Sequence, residues 1–301
     1  MKVKVFHVLQ QIQKKKICYL FIAPFFILFF IFTVLPVLSA MGLSLTYYNV
    51  LELPRFIGLE NYIQMFFYDD LFIKAFLNTL TMAMVIGPIG FLASFILSWM
   101  LTELNRGIRT TLVVMLYAPS ISGNLFLVWS LIFHGDAYGY LNSTLMNMGL
   151  IEQPIQWTTD TRYMMAVVIL VSLWMSLGTS FLSFIAGLQG VDLNQIEAGL
   201  IDGVRNRWQE LWYIILPSMK PQLLFGSVMS ITAAFSVGAV GAALCGEPSV
   251  DYAVHTIINH LNDHGITRYE MGYACAISTV LFFMMVISNK LIHKILRKVG
   301  T

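Results

Sequence analysis

Charge is scarce in this chain. Asp, Glu, Lys and Arg make up only 11% of its 301 residues, and 57% of them are hydrophobic. Soluble globular domains carry about a quarter charged residues, so with a mean hydropathy of +0.74 this composition excludes that class and places the chain in a lipid bilayer. No Gly-x-x-x-x-Gly-Lys-Ser/Thr phosphate loop occurs, which excludes nucleotide binding of the usual kind. Cysteine is nearly missing too. Cys18, Cys245 and Cys275 provide no disulfide framework and are expected as packing thiols, although Cys245 and Cys275 both lie near the outer ends of apolar stretches.

What remains once the charges are marked is six uncharged windows, 17–51, 75–102, 110–135, 163–191, 221–246 and 271–289. Each has room for the ~20 apolar residues that cross the hydrocarbon as a helix. The shorter stretch 137–151, with Gly139, Asn142 and Gly149, reads as an external loop or re-entrant turn. With the N-terminus inside, fourteen of the eighteen Lys and Arg fall in cytoplasmic segments and four (Arg55, Lys74, Arg162, Arg268) outside, while eleven of sixteen acids lie outside. That asymmetry predicts cytoplasmic N- and C-termini and leaves no need for a nucleic-acid partner. The start Lys14-Lys15-Lys16 with Leu38-Ser39-Ala40 imitates a secretory signal, but the 35-residue window far exceeds a signal core, and an uncleaved first helix is expected. The expected fold is all-α: a polytopic membrane protein with six transmembrane helices over 17–293, flanked by cytoplasmic segments 1–16 and 294–301.

A polar island separates the fourth and fifth windows. Asp192 is placed to cap a short helix, with Gln195 reaching back, and Gly203 just past Asp202 would end it. Ala198 and Gly199 give that helix a small-residue surface that another backbone can approach, and Glu197 and Asp202 offer charge to a cationic partner. The stretch from Trp208 to Leu216 is apolar and aromatic until Pro217 and Pro221 forbid continuation.

Glu197-Ala198-Gly199, Asp202-Gly203 and Leu216-Pro217 resemble the cytoplasmic loop (here 187–221) of binding-protein-dependent ABC importer permeases. In that family the first helix of the loop, the coupling helix, inserts into a cleft on a separate ATPase subunit. Two departures stand out. Gly199 replaces a usual Ala, and the stretch from Gly203 to Pro217 is one residue longer near Asn206, where replacement by Ala is expected to be nearly silent. A second resemblance lies in the first external segment, Ser44-Leu45-Thr46, then Gly58-Leu59-Glu60-Asn61-Tyr62, then Phe72, Ala75 and Asn78-Thr79, with Ala186-Gly187-Leu188-Gln189 further on. These are similar to the sugar-type branch, relatives of the maltose and glycerol-phosphate importers. Tyr62, Phe66 and Phe67 would also suit an interfacial element.

The resemblance implies a type I importer-like architecture in a bacterial cytoplasmic (inner) membrane. It also implies a second homologous permease, two ATPase subunits that carry ATP and its magnesium, and an extracellular solute-binding protein. The chain itself would be a transport subunit and no enzyme, with no cofactor of its own. The solute would be a sugar or oligosaccharide, alternatively another polar solute. A secondary transporter is the rival class; it normally places ionisable groups at mid-membrane to carry a coupling ion, and the six windows hold no Asp, Glu, Lys or Arg.

Sugar hydroxyls need hydrogen-bond partners and sugar C–H faces pack on aromatic rings. Candidates for a solute path are therefore Asn124 and Trp129, then Trp174, Ser176, Thr179 and Ser180, then Ser230, Thr232, Phe235 and Ser236. Gly238-Ala239-Val240-Gly241 reads as a close helix-packing face. His255, His260 and His264 accompany Asp251 and Asp263 in the last external loop. His260 and His264 have the i, i+4 spacing of metal ligands, but no third ligand follows at a defined spacing. They read as surface histidines, with no metal expected.

Overall fold

The computed structural model describes residues 16–122 and 126–296. Helix α1 (Lys16–Phe29) passes through a π-helical turn (Phe30–Val34) into α2 (Leu35–Leu43). A two-stranded hairpin follows, β1 (Thr46–Tyr47) antiparallel to β2 (Arg55–Phe56), and then α3 (Glu60–Phe67). Helix α4 (Asp70–Thr102) is 33 residues long and so spans about 50 Å at 1.5 Å per residue. Next come α5 (Arg106–Ile121), α6 (Phe126–Ile132), α7 (Tyr140–Asn147), α8 (Thr161–Met175) and α9 (Thr179–Gln189). The polar island holds α10 (Leu193–Ile201), α11 (Arg207–Glu210), a π-helical turn (Leu211–Ile215) and α12 (Leu216–Ser218). The chain closes with α13 (Lys220–Phe235), α14 (Gly238–Cys245), α15 (Ile257–Asn262), a π-helical turn (Asp263–Thr267) and α16 (Met271–Leu296).

Five helices among the described residues are long and apolar enough to cross a membrane: Leu20–Leu43, Asp70–Thr102, Thr161–Gln189, Lys220–Cys245 and Met271–Lys294. They fall on five of the six uncharged windows. The third window, 110–135, is divided between α5 and α6, of 16 and 7 residues, neither long enough to span alone. Between them residues 123–125, and with them the candidate Asn124, lie outside the described residues.

Helix α4 is the axis of the bundle. It packs against α13, α9 and α8; α9 packs on α13; and α16 closes over α13 on one side and α2 on the other. The main core, including Met82, Ile86, Met164, Val168, Ile231, Phe235 and Ile277, sits where these helices meet. The window of the first span is unburied throughout, leaving its Phe, Ile and Leu side chains open to lipid, as expected where the surrounding solvent is hydrocarbon.

Two of the long helices are broken in the middle. The α8–α9 span interrupts at Ser176–Gly178 and the α13–α14 span at Ser236–Val237. Glycine at 238 lets α14 approach its neighbour, since a Cβ there would lie 2.6 Å from the Thr256 hydroxyl and 2.9 Å from Asn259 Oδ1. The Gly238–Gly241 stretch is thus a packing face. Residues 137–151 contain helix α7 and are organised by fully buried Asn142. Its amide donates to the carbonyls of His134, Asp136 and Ile155, and its Oδ1 accepts from the Trp157 indole at 2.8 Å.

The segment Gly58-Leu59-Glu60-Asn61-Tyr62 clamps the end of the first span. Asn61 Nδ2 donates to the carbonyls of Ser44 (2.8 Å) and Thr46 (3.0 Å), and the Tyr62 hydroxyl donates to Ser44 Oγ at 2.8 Å. Tyr62 therefore faces the bundle, and of the three aromatics proposed for the interface Phe67 is the most exposed.

Candidate functional site

Helix α10 has no buried residue. It is nine residues long, too short to be stable alone, and three devices hold it. Asp192 Oδ1 accepts from the backbone N–H of Asn194 at 3.0 Å, the expected cap. Gly203 adopts φ +98° while its N–H reaches Leu200 O at 3.3 Å and the Val204 N–H reaches Gly199 O at 2.9 Å. This paired closure requires a left-handed residue, and glycine adopts that conformation without strain. Third, the bare Gly199 backbone seats Ile214 Cδ1 so closely that a Cβ there would collide with it; the Gly at this position is a packing choice. Gln195 does not reach back to the cap. Its Oε1 accepts instead from the Ser218 hydroxyl at 3.0 Å, pinning α10 to α12.

The result is a raised helix beside a groove of about 650 Å³ lined by Ala198, Gly199, Asp202, Gly203, Tyr213 and Pro217, among others. Glu197 is exposed, and Leu200 and Ile201 are 59% and 88% exposed. Exposed Leu and Ile next to a carboxylate, on a helix with no buried residue, form a surface suited to docking. Leu216 and Pro217 sit in the helical turn after the π-helical segment, and Pro221 in the first turn of α13, where the missing N–H costs nothing. Pro221 thus starts a helix, while the helical backbone that runs through Leu216 and Pro217 ends just after them at Ser218.

Sequence reasoning missed how the loop is anchored to the bundle. Arg207 Nη1 donates to Glu210 Oε2 at 2.8 Å and its Nη2 to Glu103 Oε2 at 2.8 Å, beside the end of α4. Glu210 is buried, and its hydrogen bonds and charge, followed by those of Glu103, raise the Arg207 pKa above its ordinary value. Trp208 lies against Trp99 with ring centroids 5.2 Å apart. Nor is the region of Asn206 an inert insertion. Asn206 Oδ1 accepts from Gln209 N at 2.8 Å and caps α11, while Gln209 Oε1 accepts from Arg205 N at 2.8 Å.

The two helix breaks define a second place of interest, a cleft of about 370 Å³. It brings together the expected Ser176, Thr179, Ser180, Ser230, Thr232 and Ser236, and adds Ser120. Unwinding at Ser176–Gly178 frees carbonyls, and the Ser120 hydroxyl answers two of them, Leu177 O at 2.7 Å and Met175 O at 3.2 Å. Hydroxyls and unwound backbone inside apolar spans can hydrogen-bond a polar solute. The aromatic candidates are elsewhere. Phe235 is 3% exposed in the main core. Trp129 meets Trp174 edge-to-face at 5.5 Å and stacks on Phe133, so Phe235, Trp129 and Trp174 pack the bundle and none lines the cleft.

At the other end of α4 the histidines are inside, with His255, His260 and His264 6%, 2% and 5% exposed. The surface reading fails because helix α15 folds them against Asp69, which begins α4. His260 Nε2 lies 3.0 Å from Asp69 Oδ2, the Tyr273 hydroxyl donates to the same oxygen at 2.7 Å, and His264 Nδ1 lies 2.6 Å from Glu270 Oε2. Burial opposes the charge of Asp69, but hydrogen bonds from His260, Tyr273 and the Phe72 backbone outweigh it and hold the carboxyl well below its usual range. Burial pushes His255 down to about 4. It lowers His264 as well, against the opposing pull of Glu270.

Long apolar spans, two of them broken, and an exposed helix between the third and fourth of the five define a polytopic membrane protein. Residues 86–298 match the family described as binding-protein-dependent transport system inner membrane component, and the chain belongs to it. Over 92% of its length it is 31% identical to the probable ABC transporter permease protein YesP of Bacillus subtilis (strain 168), covering 89% of that protein. It is 28% identical to the arabinooligosaccharides transport system permease protein AraP of the same organism, over 91% of this chain and 87% of that one. Its fold matches a chain of the bacterial ABC transporter involved in import of the acidic polysaccharide alginate with a TM-score of 0.76, at 21% identity, covering 98% of this chain and 100% of that one. A structure of bacterial alginate ABC transporter in complex with alginate pentasaccharide-bound periplasmic protein matches with a TM-score of 0.73.

Proposed function

We propose that this chain is one permease of a sugar or oligosaccharide importer, and that α10 is its coupling helix. The observation that carries the reading is the exposed, doubly terminated α10 with Glu197, Ala198, Gly199, Asp202 and Gly203 on a loop anchored through Arg207 to α4. The sugar assignment is supported by what similar proteins transport and by the hydroxyl-lined cleft at the helix breaks. In this reading the protein crosses the bacterial inner membrane six times, with α5 and α6 contributing to the third span, and both termini and α10 are cytoplasmic. A second homologous permease completes the pathway. Two ATPase subunits bind ATP and magnesium and close on each other. Helix α10 carries that movement into α4 and α13, and solute released by an extracellular binding protein enters between the permeases.

The test is uptake in reconstituted vesicles containing the permease pair, the ATPase subunits and the binding protein. Labelled oligosaccharide should accumulate only with ATP inside the ATPase compartment. Uptake that follows a proton or sodium gradient without the ATPase subunits would establish a secondary transporter instead.

A further inference from the structure

We propose that Asp69, His260 and His264 form a binding site for a zinc ion that ties the start of α4 to the segment leading into α16. One ligand atom from each lies within 4.8 Å of the other two. Tetrahedral zinc holds nitrogen and oxygen ligands at about 2.0–2.2 Å, which sets neighbouring ligands roughly 3.3 Å apart. The 3.0 Å separation of His260 Nε2 from Asp69 Oδ2 is already close to that spacing, and His264, within 4.8 Å of both, has at most roughly 1.5 Å to move. Two imidazoles and one carboxylate, with water completing the set, are ligands that suit zinc better than calcium or magnesium.

The groups around these three residues are arranged as outer partners of a metal site. Glu270 Oε2 accepts from His264 Nδ1, which leaves His264 Nε2 with a free lone pair, the carboxylate–histidine pairing that orients metal ligands. His260 Nδ1 faces His255 Nε2 at 3.4 Å. If it donates its proton there, His260 Nε2 is free for the metal and both imidazoles stay neutral. The carboxylate of Asp69 is held at both oxygens, Oδ1 by the Phe72 N–H at 2.9 Å and Oδ2 by Tyr273. The donors come from positions 69, 260 and 264, so the third ligand has no fixed sequence spacing to the histidine pair. An occupied site would lock one end of α4 about 50 Å from the docking loop and would not depend on which solute the protein carries.

The experiment uses the assembled, full-length transporter purified with a tag that lacks histidine, stripped with a chelator and titrated with Co²⁺ followed by Zn²⁺. Wild type should take up one Co²⁺ per chain, with the visible d–d absorption of a tetrahedral site that Zn²⁺ abolishes. Asp69→Asn and His264→Ala should lose that spectrum, His264→Cys should keep tetrahedral d–d absorption, shifted and joined by a thiolate-to-cobalt charge-transfer band, and Glu270→Gln should weaken binding ~10–100-fold. His134→Ala, at a histidine exposed elsewhere, should bind like wild type. Failure of the wild-type complex to take up Co²⁺ would overturn the proposal whatever the variants do. Uptake unchanged in folded Asp69→Asn and His264→Ala would overturn it equally.

Discussion

Arg207 Nη2 stands 2.8 Å from Glu103 Oε2, across 104 residues of sequence, and its other nitrogen holds Glu210 at the start of the π-helical turn. One guanidinium therefore bridges the longest helix of the bundle and the loop that presents α10. Planar, two-sided pairing suits arginine and not lysine.

Replacing Arg207 by Met should leave Glu210 buried without its partner. Because Arg207 is itself largely exposed, the cost to the fold should be modest, about 1 kcal/mol. The local effect is larger: amide hydrogen exchange across 205–216 in the purified complex should accelerate while α4 and α13 keep their protection. Asn206→Ala should act in the same place by removing the cap of α11, again at about 1 kcal/mol, where the sequence pattern suggested silence. Unchanged exchange in both variants would show that the loop is held by something else.

Glu197→Lys and Gly203→Val probe the docking helix in different ways. The lysine reverses the exposed charge, and the valine forces a side chain onto φ +98° at about 1–2 kcal/mol of backbone strain. No atom lies within 4 Å of a Cβ at 203, so the added β-carbon meets no crowding within the chain and the strain is one of backbone geometry. Both proteins should insert into the membrane normally. Each should lose most ATP-dependent uptake, through release of the ATPase subunits or hydrolysis that no longer drives transport. Normal uptake by both would remove α10 from the coupling role.

The cleft and the aromatic cluster make opposite predictions. Ser180→Val and Ser120→Ala should raise the solute KM or reduce uptake several-fold with basal ATPase retained, because each removes a hydroxyl from the lining. Phe235→Leu and Trp174→Phe should lower thermal stability by ~1–2 kcal/mol and leave uptake kinetics close to wild type once the amount of assembled complex is matched. The reverse pattern would move the path into the aromatic cluster.

Orientation is best probed where side chains are exposed. Tyr138 is 92% exposed and Ile201 88%, whereas Asn142, in the same loop as Tyr138, is buried and hydrogen-bonded. In a background without the native cysteines, Tyr138→Cys should react with an impermeant thiol reagent in intact cells and Ile201→Cys only after lysis. Opposite labelling would invert the topology and with it the docking side.

Five of the six windows became long apolar helices because an uncharged stretch of sufficient length has one stable outcome in hydrocarbon, where every backbone group must bond within its own helix. The loop that holds α10 was legible for a related reason: Asp192 and Gly203 act on their own immediate neighbours, so residue type and spacing alone specify the start and end of α10. What the residue order could not contain was distance. The role of Arg207 depends on Glu103 arriving at the loop. Ser120 joins the hydroxyl cleft only because α5 meets the break after α8, while Trp174, on the same span as Ser176, turns away into packing. His260 and His264 were visible as a pair, yet their burial and their third neighbour, Asp69, follow from α15 folding back onto the start of α4. Local hydrogen bonding and hydrophobic length are properties of a segment and can be read along the chain; which polar groups share a buried space is set by how helices cross, and only the tertiary structure decides it.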